Sequence, residues 1–380
     1  MKFKTLGFAT TLAMAISAHA QAESILNVAT AGSENMVEYV NQYLAPKFRE
    51  LHPDVTVRVI GTGPGDAGSN AIMERLSAQK DAGASADIDV AVVHEKPVGK
   101  MVTDGLLAKY AASADTASLV SSDKAKNALG VDVEGYVMPM FQSQTAWAYH
   151  PALVSNPPKS YAELSDWVKE NPGVFGYNGI RNGMSGVSFV NGWMYAFTGE
   201  ADKMMKGPFD PSLVGSEKWN AALADLKEFN KNVTFTPGNA GTLDMLNRGE
   251  IGIGPVWVDM FYSWQADGRV NPEIKLMLPE PGMPGQPMHY VIPETSKQRD
   301  LAVEFIELAT SPEVQAHGIV EQFNWYPGID AKYLESELSA DVWDKLFADI
   351  TPEDLATKSL SFPLVGYFDA ILTSYERDVE

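Results

Sequence analysis

The segment from Gly61 to Asn70 (GTGPGDAGSN) combines glycines with short polar side chains between a predicted strand and a predicted helix. Three of its glycines match the spacing G-x-G-x-x-G, which in dinucleotide-binding proteins brings backbone amides to a pyrophosphate. A proline inside the match and the additional glycines argue against that use, so no cofactor is predicted. The backbone N–H groups of such a loop can instead bind a small ligand, and the simpler alternative is a turn that needs positive φ. The loop residues assigned to a ligand are Gly63, Gly65, Asp66 and Ser69.

Motifs of known enzymes are incomplete in this sequence. His94-Glu95 is not the zinc motif H-E-x-x-H, because Val98 stands in the last position, and the six histidines are scattered. The stretch 183–186 (GMSG) is not the serine-hydrolase elbow G-x-S-x-G, because Val187 follows it. The chain has no cysteine, which excludes thiolate metal ligands and cysteine nucleophiles. We therefore predict no catalytic residue and no metal, and a periplasmic hydrolase with paired carboxylates remains the alternative.

Polar side chains also follow other predicted strands. Ser33, Glu34 and Asn35 come after the first strand and open the first long helix. There they can hydrogen-bond to a ligand or simply cap the helix. His94 and Glu95 end the third strand, where lining a cleft and forming a surface turn are both open.

Arg181 and Ser185 lie in a loop that opens a later helix. An arginine beside a helix start suits a carboxylate or a phosphate. The alternative is a solvated arginine followed by a serine cap.

Aromatic residues stand at positions where strands are predicted to end or cross. Trp147 lies on an extended segment, Trp257 precedes Asp259 at the end of a strand, and Trp325 and Tyr326 occupy a late turn. A half-buried tryptophan is costly unless its face and N–H are used. Stacking on a sugar ring or contact with an amine would use them, whereas the alternative is an ordinary core position.

The elements that must position these residues begin as a β–α alternation. Strands are predicted at Ile25–Ala29, Val55–Ile60 and Ile88–Val93. A helix with apolar residues at spacings of three and four covers 37–51, and another covers Ser69–Gln79, capped at its first or second residue. This order predicts an α/β protein with a parallel sheet covered on both faces.

The second part of the chain repeats the pattern. Tyr136–Tyr149 is predicted to be an extended crossing segment, and Ser160–Lys169 and Val187–Phe197 are predicted helices. Ile251–Val258 is a predicted strand. The proline- and glycine-rich stretch Pro279–Pro287 is the best single boundary.

The first 20 residues have the pattern of a signal peptide. Lys2 and Lys4 precede the short apolar run Leu6–Ile16, and Ala18-His19-Ala20 is the small-x-small pattern that signal peptidase cleaves. That run is too short to span a bilayer, so an anchor helix is the weaker alternative. We expect a mature periplasmic protein that does not span the membrane.

Composition limits the class of partner. The net charge of −20 disfavours nucleic acid and anionic membranes, which need clustered basic residues. An exported chain of 380 residues without disulfides must rely on its own apolar cores, most naturally in two lobes. We expect a monomer.

Four passages, in order, resemble the type II periplasmic solute-binding proteins of bacterial ABC importers. They are residues 135–150 (GYVMP followed by AWAYH), 158–173 (ending in NPG), 249–254 (GEIGIG) and 292–328 (IPETSKQRDLAVEFIELATSPE, later WYPG). The resemblance covers nearly the whole mature chain.

The resemblance implies a two-lobed α/β protein of the periplasmic binding protein-like II fold. Each lobe would be a mixed, mostly parallel sheet flanked by helices, with the ligand cleft between the lobes. Residues 21–137 and 282–380 would form the first lobe and 138–281 the second. The implied function is to capture a small polar solute and deliver it to an ABC permease at the inner membrane, without catalysis. A sugar, a polyol or a phosphate of either is favoured, and a polyamine or other cationic metabolite comes next; a scaffold or adhesion module is the remaining alternative.

Overall fold

The computed structural model shows an α/β chain in which strands and helices alternate. It describes residues 24–32, 34–63, 65–121, 125–181 and 183–380. The strands are β1 (Ser24–Ala31), β2 (Val55–Gly63), β3 (Val90–His94), β4 (Asn127–Ala128), β5 (Val131–Asp132), β6 (Met138–Tyr149), β7 (Gly176–Tyr177), β8 (Thr234–Phe235), β9 (Ile253–Trp257), β10 (Lys275–Met277), β11 (Met283–Val291), β12 (Tyr326–Pro327) and β13 (Ser359–Leu360).

Helices connect these strands, and two of them continue into the wider turns of a π-helix, at Tyr39–Leu44 and Gln315–Gln322. The α-helices are α1 (Glu34–Glu38), α2 (Ala45–Leu51), α3 (Gly65–Asp81), α4 (Glu95–Thr103), α5 (Tyr161–Glu170), α6 (Met184–Thr198), α7 (Ala201–Lys206), α8 (Glu217–Phe229), α9 (Asn239–Asn247), α10 (Val258–Ala266), α11 (Arg299–Ala309), α12 (Pro312–Val314), α13 (Ala340–Leu346), α14 (Pro352–Lys358) and α15 (Val365–Asp378).

The first three strands form the parallel sheet that the sequence predicts. β1 lies between β2 and β3 and pairs in parallel with both. Leu26, Val28 and Val92 point to one face of this sheet, and Ala29 and Val93 point to the other. Because both faces are covered by helices, these strands are apolar throughout instead of alternating with polar residues.

Two long antiparallel strands run through both halves of the molecule. Residues 138–144 of β6 pair with β11, and residues 145–149 of the same strand pair with β9. β10 pairs with the same end of β6. The other end of β11 pairs with β3, so β6 and β11 join a first lobe built on β1, β2 and β3 to a second lobe built on β7 to β10.

The stretch Pro279–Pro287, predicted as the best single boundary, is largely strand. β11 begins at Met283 and runs through Pro284 and Pro287, and Glu280 before it forms an isolated bridge with Ser160. Proline is tolerated in a strand where its nitrogen has no ladder partner to lose. The stretch therefore contains the start of the strand that crosses between the lobes.

The last helices pack against the second lobe. Tyr367, Ile371 and Tyr375 of α15 share one apolar cluster with Trp193 of α6 and Trp219 of α8. The lobe bounds given above, which assign 282–380 to the first lobe, stay a prediction.

Candidate functional site

The junction of the two lobes contains a polar network between the crossing strands. The hydroxyls of Thr145 and Ser188 lie 2.5 Å apart, and each lies within hydrogen-bond distance of the carbonyl oxygen of Pro284, at 2.6 and 2.9 Å. The Gln144 amide donates to the carbonyl oxygen of Met283 at 2.9 Å. Buried polar groups must be paired, and this network pairs them at the point where the chain passes between lobes.

The strands of the first lobe end together at one edge. The amide of Gly32, after β1, donates to the carbonyl oxygen of Gly63, the last residue of β2, at 2.8 Å. Gly63 has a φ of +96°, a conformation that favours glycine. A Cβ on Gly68 would lie 2.0 Å from the Gly63 carbonyl oxygen, so α3 can approach the strand end only with glycine there.

The glycine-rich segment holds a histidine in place. The helix begins at Gly65, four residues before the predicted cap Ser69, so Ser69 lies inside α3 and is completely buried. Its hydroxyl accepts a hydrogen bond from the amide of His94 at 3.0 Å and lies 3.1 Å from His94 Nδ1. Ser69 therefore orients His94 from within the protein, which differs from the predicted direct ligand contact.

His94 is neutral at ordinary pH because its surroundings disfavour the imidazolium. Burial lowers the pKa of His94, and the half-buried carboxylate of Asp66 only partly opposes this. The contact between the Ser69 hydroxyl and Nδ1 is compatible with either direction of donation, which depends on the imidazole tautomer.

Glu95 starts α4 directly after His94, and its side chain is 1% exposed. It lies close to Tyr195 of α6 in the second lobe: burial raises the pKa of Tyr195, and the Glu95 carboxylate raises it further. Glu95 therefore interacts electrostatically with a residue of the second lobe, and its predicted contact with a ligand stays a prediction.

The second lobe presents a carboxylate at the same junction. Asp259 lies in the first turn of α10, and its Oδ1 accepts a hydrogen bond from Ser143 of β6 at 2.7 Å. Burial raises the pKa of Asp259, and the Ser143 hydroxyl opposes that shift. A half-buried carboxylate beside a crossing strand can accept a hydrogen bond from a hydroxyl or an ammonium group.

Trp257, two residues earlier, is 8% exposed and belongs to a small apolar cluster. Val187 of α6 and Leu129, next to β4, are members of the same cluster. Its ring is therefore mostly covered by protein, at a place where residues of both lobes meet.

Ser185 and Arg181 occupy different surroundings from those predicted. Ser185 is completely buried, and its hydroxyl and amide both donate to Oδ1 of Asn239, at 2.8 and 3.2 Å. Asn178 donates to the same oxygen at 3.0 Å. This network fixes the start of α6 from the inside, so Ser185 supports the loop and is closed to solvent.

Arg181 is exposed and points to the C-terminal helix. Its guanidinium lies 2.6 Å from a carboxylate oxygen of Glu380 and 3.8 Å from one of Glu376. Its charge is thus paired with two acids in the structure, and its predicted recognition of an acidic ligand stays a prediction.

Three aromatic residues predicted to contact the ligand lie in apolar cores. Trp147 is completely buried and meets Tyr161 edge-on at 5.2 Å. Trp325 is 1% exposed and stacks on Phe141 at 4.3 Å. Tyr326, in β12, is 4% exposed. Core side chains cover these rings in the structure, and the predicted ligand contacts of the three residues stay predictions.

Two residues predicted for the site, Ser33 and the side chain of Asn35, fall outside the described part of the chain, as does the signal segment 1–20. Glu34 is exposed at the start of α1. Gly65 is the first residue of α3.

Sequence reasoning missed Ser143 and Asn239. Ser143 stands in the polar run Gln142-Ser143-Gln144-Thr145 inside a strand that is otherwise buried and apolar, and that run was a usable signal. Asn239 had no comparable signal, because its partner Ser185 is 54 residues away.

A cavity of about 460 Å³ opens beside the first-lobe edge, and its wall includes Asp66, Asn70, Lys96 and Val365. Among the described residues, no three or more histidine, aspartate or glutamate side chains are grouped so as to hold a metal ion. Within the described part of the chain, every helix is too short or too polar to cross a bilayer.

Solved structures with the same fold are numerous. A putative extracellular solute-binding protein from Bordetella parapertussis is 18% identical with a TM-score of 0.67, covering 94% of this chain and 100% of that one. An ABC transporter solute-binding protein from Thermotoga lettingae, bound with α-D-tagatose, is 16% identical with a TM-score of 0.69, covering 93% and 94%. The spermidine/putrescine ABC transporter substrate-binding protein of Streptococcus pneumoniae is 14% identical with a TM-score of 0.67, covering 94% and 100%. These similarities establish the two-lobed fold.

A comparison with curated proteins gave no significant match. The model of the bacterial extracellular solute-binding protein family matches residues 44–360, which is most of the chain. This match confirms the resemblance drawn from the four sequence passages. The chain belongs to the bacterial extracellular solute-binding protein family, the non-enzymatic solute-binding components of ABC importers.

Proposed function

We propose that the chain, exported to the periplasm as a monomer, captures a small polar solute between its lobes and delivers it to an ABC permease in the inner membrane. The observation that carries this proposal is the half-buried Asp259 carboxylate beside Ser143, at the junction where β6 crosses between lobes. Hinged lobes joined by two crossing strands can close over a ligand held there. The hydrolase alternative loses its support, because the family binds solutes without transforming them.

The charges near the junction favour a solute that donates hydrogen bonds. Asp259 lies in the second lobe, and Asp66 and Glu95 lie in the first turns of two first-lobe helices. The positive charge of Arg181 is paired with Glu376 and Glu380. We therefore propose a polyol or a sugar as the first candidate solute and an amine as the second. The phosphates of sugars and polyols, which the sequence favoured, are not favoured by these charges. Proteins of this fold take both kinds of solute, since the Thermotoga lettingae protein holds tagatose and the Streptococcus pneumoniae protein serves polyamines.

A thermal-shift panel of glucose, sorbitol, putrescine, γ-aminobutyrate and inorganic phosphate tests this class, followed by calorimetric titration of any compound that stabilises the chain. We expect a sugar, a polyol or an amine to raise the melting temperature and phosphate to have no effect. Native mass spectrometry of the purified protein extends the search to a co-purified solute.

The Asp259→Asn variant tests the role of the carboxylate. A charge-assisted hydrogen bond of about 1.5–3 kcal/mol predicts a loss of affinity of about tenfold to a hundredfold. Asp300→Asn is the matched control, because Asp300 is an exposed aspartate in the first turn of α11. Equal affinity in both variants, or tight phosphate binding that depends on Arg181, would contradict the proposed solute class.

A further inference from the structure

The C-terminal residues 359–378, here called the clasp, are attached firmly to the second lobe. Ser374 Oγ accepts a hydrogen bond from the indole of Trp219 at 3.3 Å, and the hydroxyls of Tyr375 and Tyr177 lie 2.7 Å apart. The hydroxyl of Tyr367 accepts a hydrogen bond from the amide of Asp210 at 2.9 Å. All three partners belong to the second lobe or to the helices packed on it.

The same segment also contacts the first lobe through an ion pair. Lys96, in the first turn of α4, lies 3.0 Å from a carboxylate oxygen of Asp369, and its ammonium lies 4.8 Å from the centre of the Phe368 ring. The helix that carries Lys96 packs into the first-lobe core through Val98 and Met101. One lysine thus makes a charge contact and a cation–π contact across the two lobes.

A second contact between the clasp and the first lobe is independent of charge. The amide of Val365 donates to the carbonyl oxygen of Leu129 at 3.2 Å, and Leu129 shares an apolar cluster with Phe362, Phe368 and Trp257. Leu129 has a φ of +49°, which is unfavourable for a leucine and persists only where surrounding contacts impose it. The hairpin of β4 and β5 is therefore held against the clasp.

The clasp also encloses space beside the site. Val365 and Lys96 both line the cavity of about 460 Å³ that contains Asp66. One residue of the clasp, Val365, therefore forms part of the wall of this cavity beside α4.

We propose that the clasp holds the two lobes together on this side of the cleft, and that Lys96 and Asp369 are positioning residues that favour the closed arrangement before any solute binds. This inference rests on the hinged cleft of the proposed function. The pair is partly exposed, with 36% and 58% of the two side chains accessible, so its contribution is modest and reversible. Together with the cation–π contact, its loss predicts a rise of about fivefold in the ratio of open to closed molecules.

The absence of cysteine allows a direct measurement. Leu51 in the first lobe and Leu153 in the second are exposed, and replacing both with cysteine places one fluorescent dye on each lobe. Energy transfer between the dyes reports the open fraction without solute. Lys96→Met is compared with Lys100→Met, because Lys100 pairs with Asp104, the residue that follows α4, and so makes its ion pair within the first lobe.

We expect the open fraction to rise in Lys96→Met, to stay at its original value in Lys100→Met, and to return towards it when Lys96→Asp is combined with Asp369→Lys. One molar salt should open the original protein and leave Lys96→Met unchanged. An open fraction that is the same in all variants, or a charge swap that fails to restore closure, overturns the clasp. Failure of the proposed function is distinct: no compound of the solute panel would then change the dye distance in any variant.

Discussion

Replacing Trp325 with alanine separates a core position from a ligand contact. Trp325 is 1% exposed, stacks on Phe141 at 4.3 Å, and lies 5.1 Å from the ring of Phe323. A buried indole removes about 200 Å² from water, which at about 25 cal/mol per Å² corresponds to about 5 kcal/mol. Because alanine keeps part of that area and the cavity relaxes only partly, we expect a loss of about 3–5 kcal/mol in the free energy of unfolding.

Urea unfolding followed by circular dichroism measures this loss, with the midpoint falling and the slope unchanged. Trp343→Ala is the control, since Trp343 is half-buried on α13, contacts Phe347 at 4.8 Å, and should cost about 1 kcal/mol. At temperatures where Trp325→Ala remains folded, its affinity for solute should be close to that of the original chain. A stability loss below about 1 kcal/mol together with lost binding would return Trp325 to the ligand site and refute the assignment to the core.

Two further predictions concern buried polar groups. Burial lowers the pKa of His289 to about 3, with a smaller contribution from His94. The unfolded chain therefore binds more protons below about pH 6.5, and stability should fall by about 1.4 kcal/mol per unit as the pH drops towards 3. His289→Leu should flatten this slope in urea titrations at pH 7, 6, 5 and 4, and an unchanged slope would refute it. Asn239→Ala removes the acceptor of three hydrogen bonds from Ser185 and Asn178. The free energy of unfolding should therefore drop by about 1–3 kcal/mol. A change below about 0.5 kcal/mol in the same urea assay would show that the network is dispensable.

The order of elements could be predicted from local pattern. Apolar runs and glycine turns mark β1, β2 and β3 at their observed places, and the long extended segment before Tyr149 is β6. The absence of cysteine indicated a chain held by its cores. These features depend on residues that are close together in the sequence, so they can be predicted from the sequence alone.

The environment of each tryptophan could not be read in this way. Trp147 and Trp325 are in cores, whereas Trp257 lies where residues of both lobes meet, although all three stand at predicted crossings or strand ends. Side-chain burial is set by whatever packs on the residue, and Trp325 packs on Phe141, far away in sequence.

By itself, the sequence determined the strand–helix alternation and the family of this protein, because apolar periodicity and ordered motifs are local properties of the chain. Only the tertiary structure decided that Ser69 and Ser185 support the site from inside, that Arg181 is matched by Glu380, and that the end of the chain reaches Lys96. Lys96 and Asp369 are 273 residues apart, and a contact over that separation exists only once both lobes have folded and met.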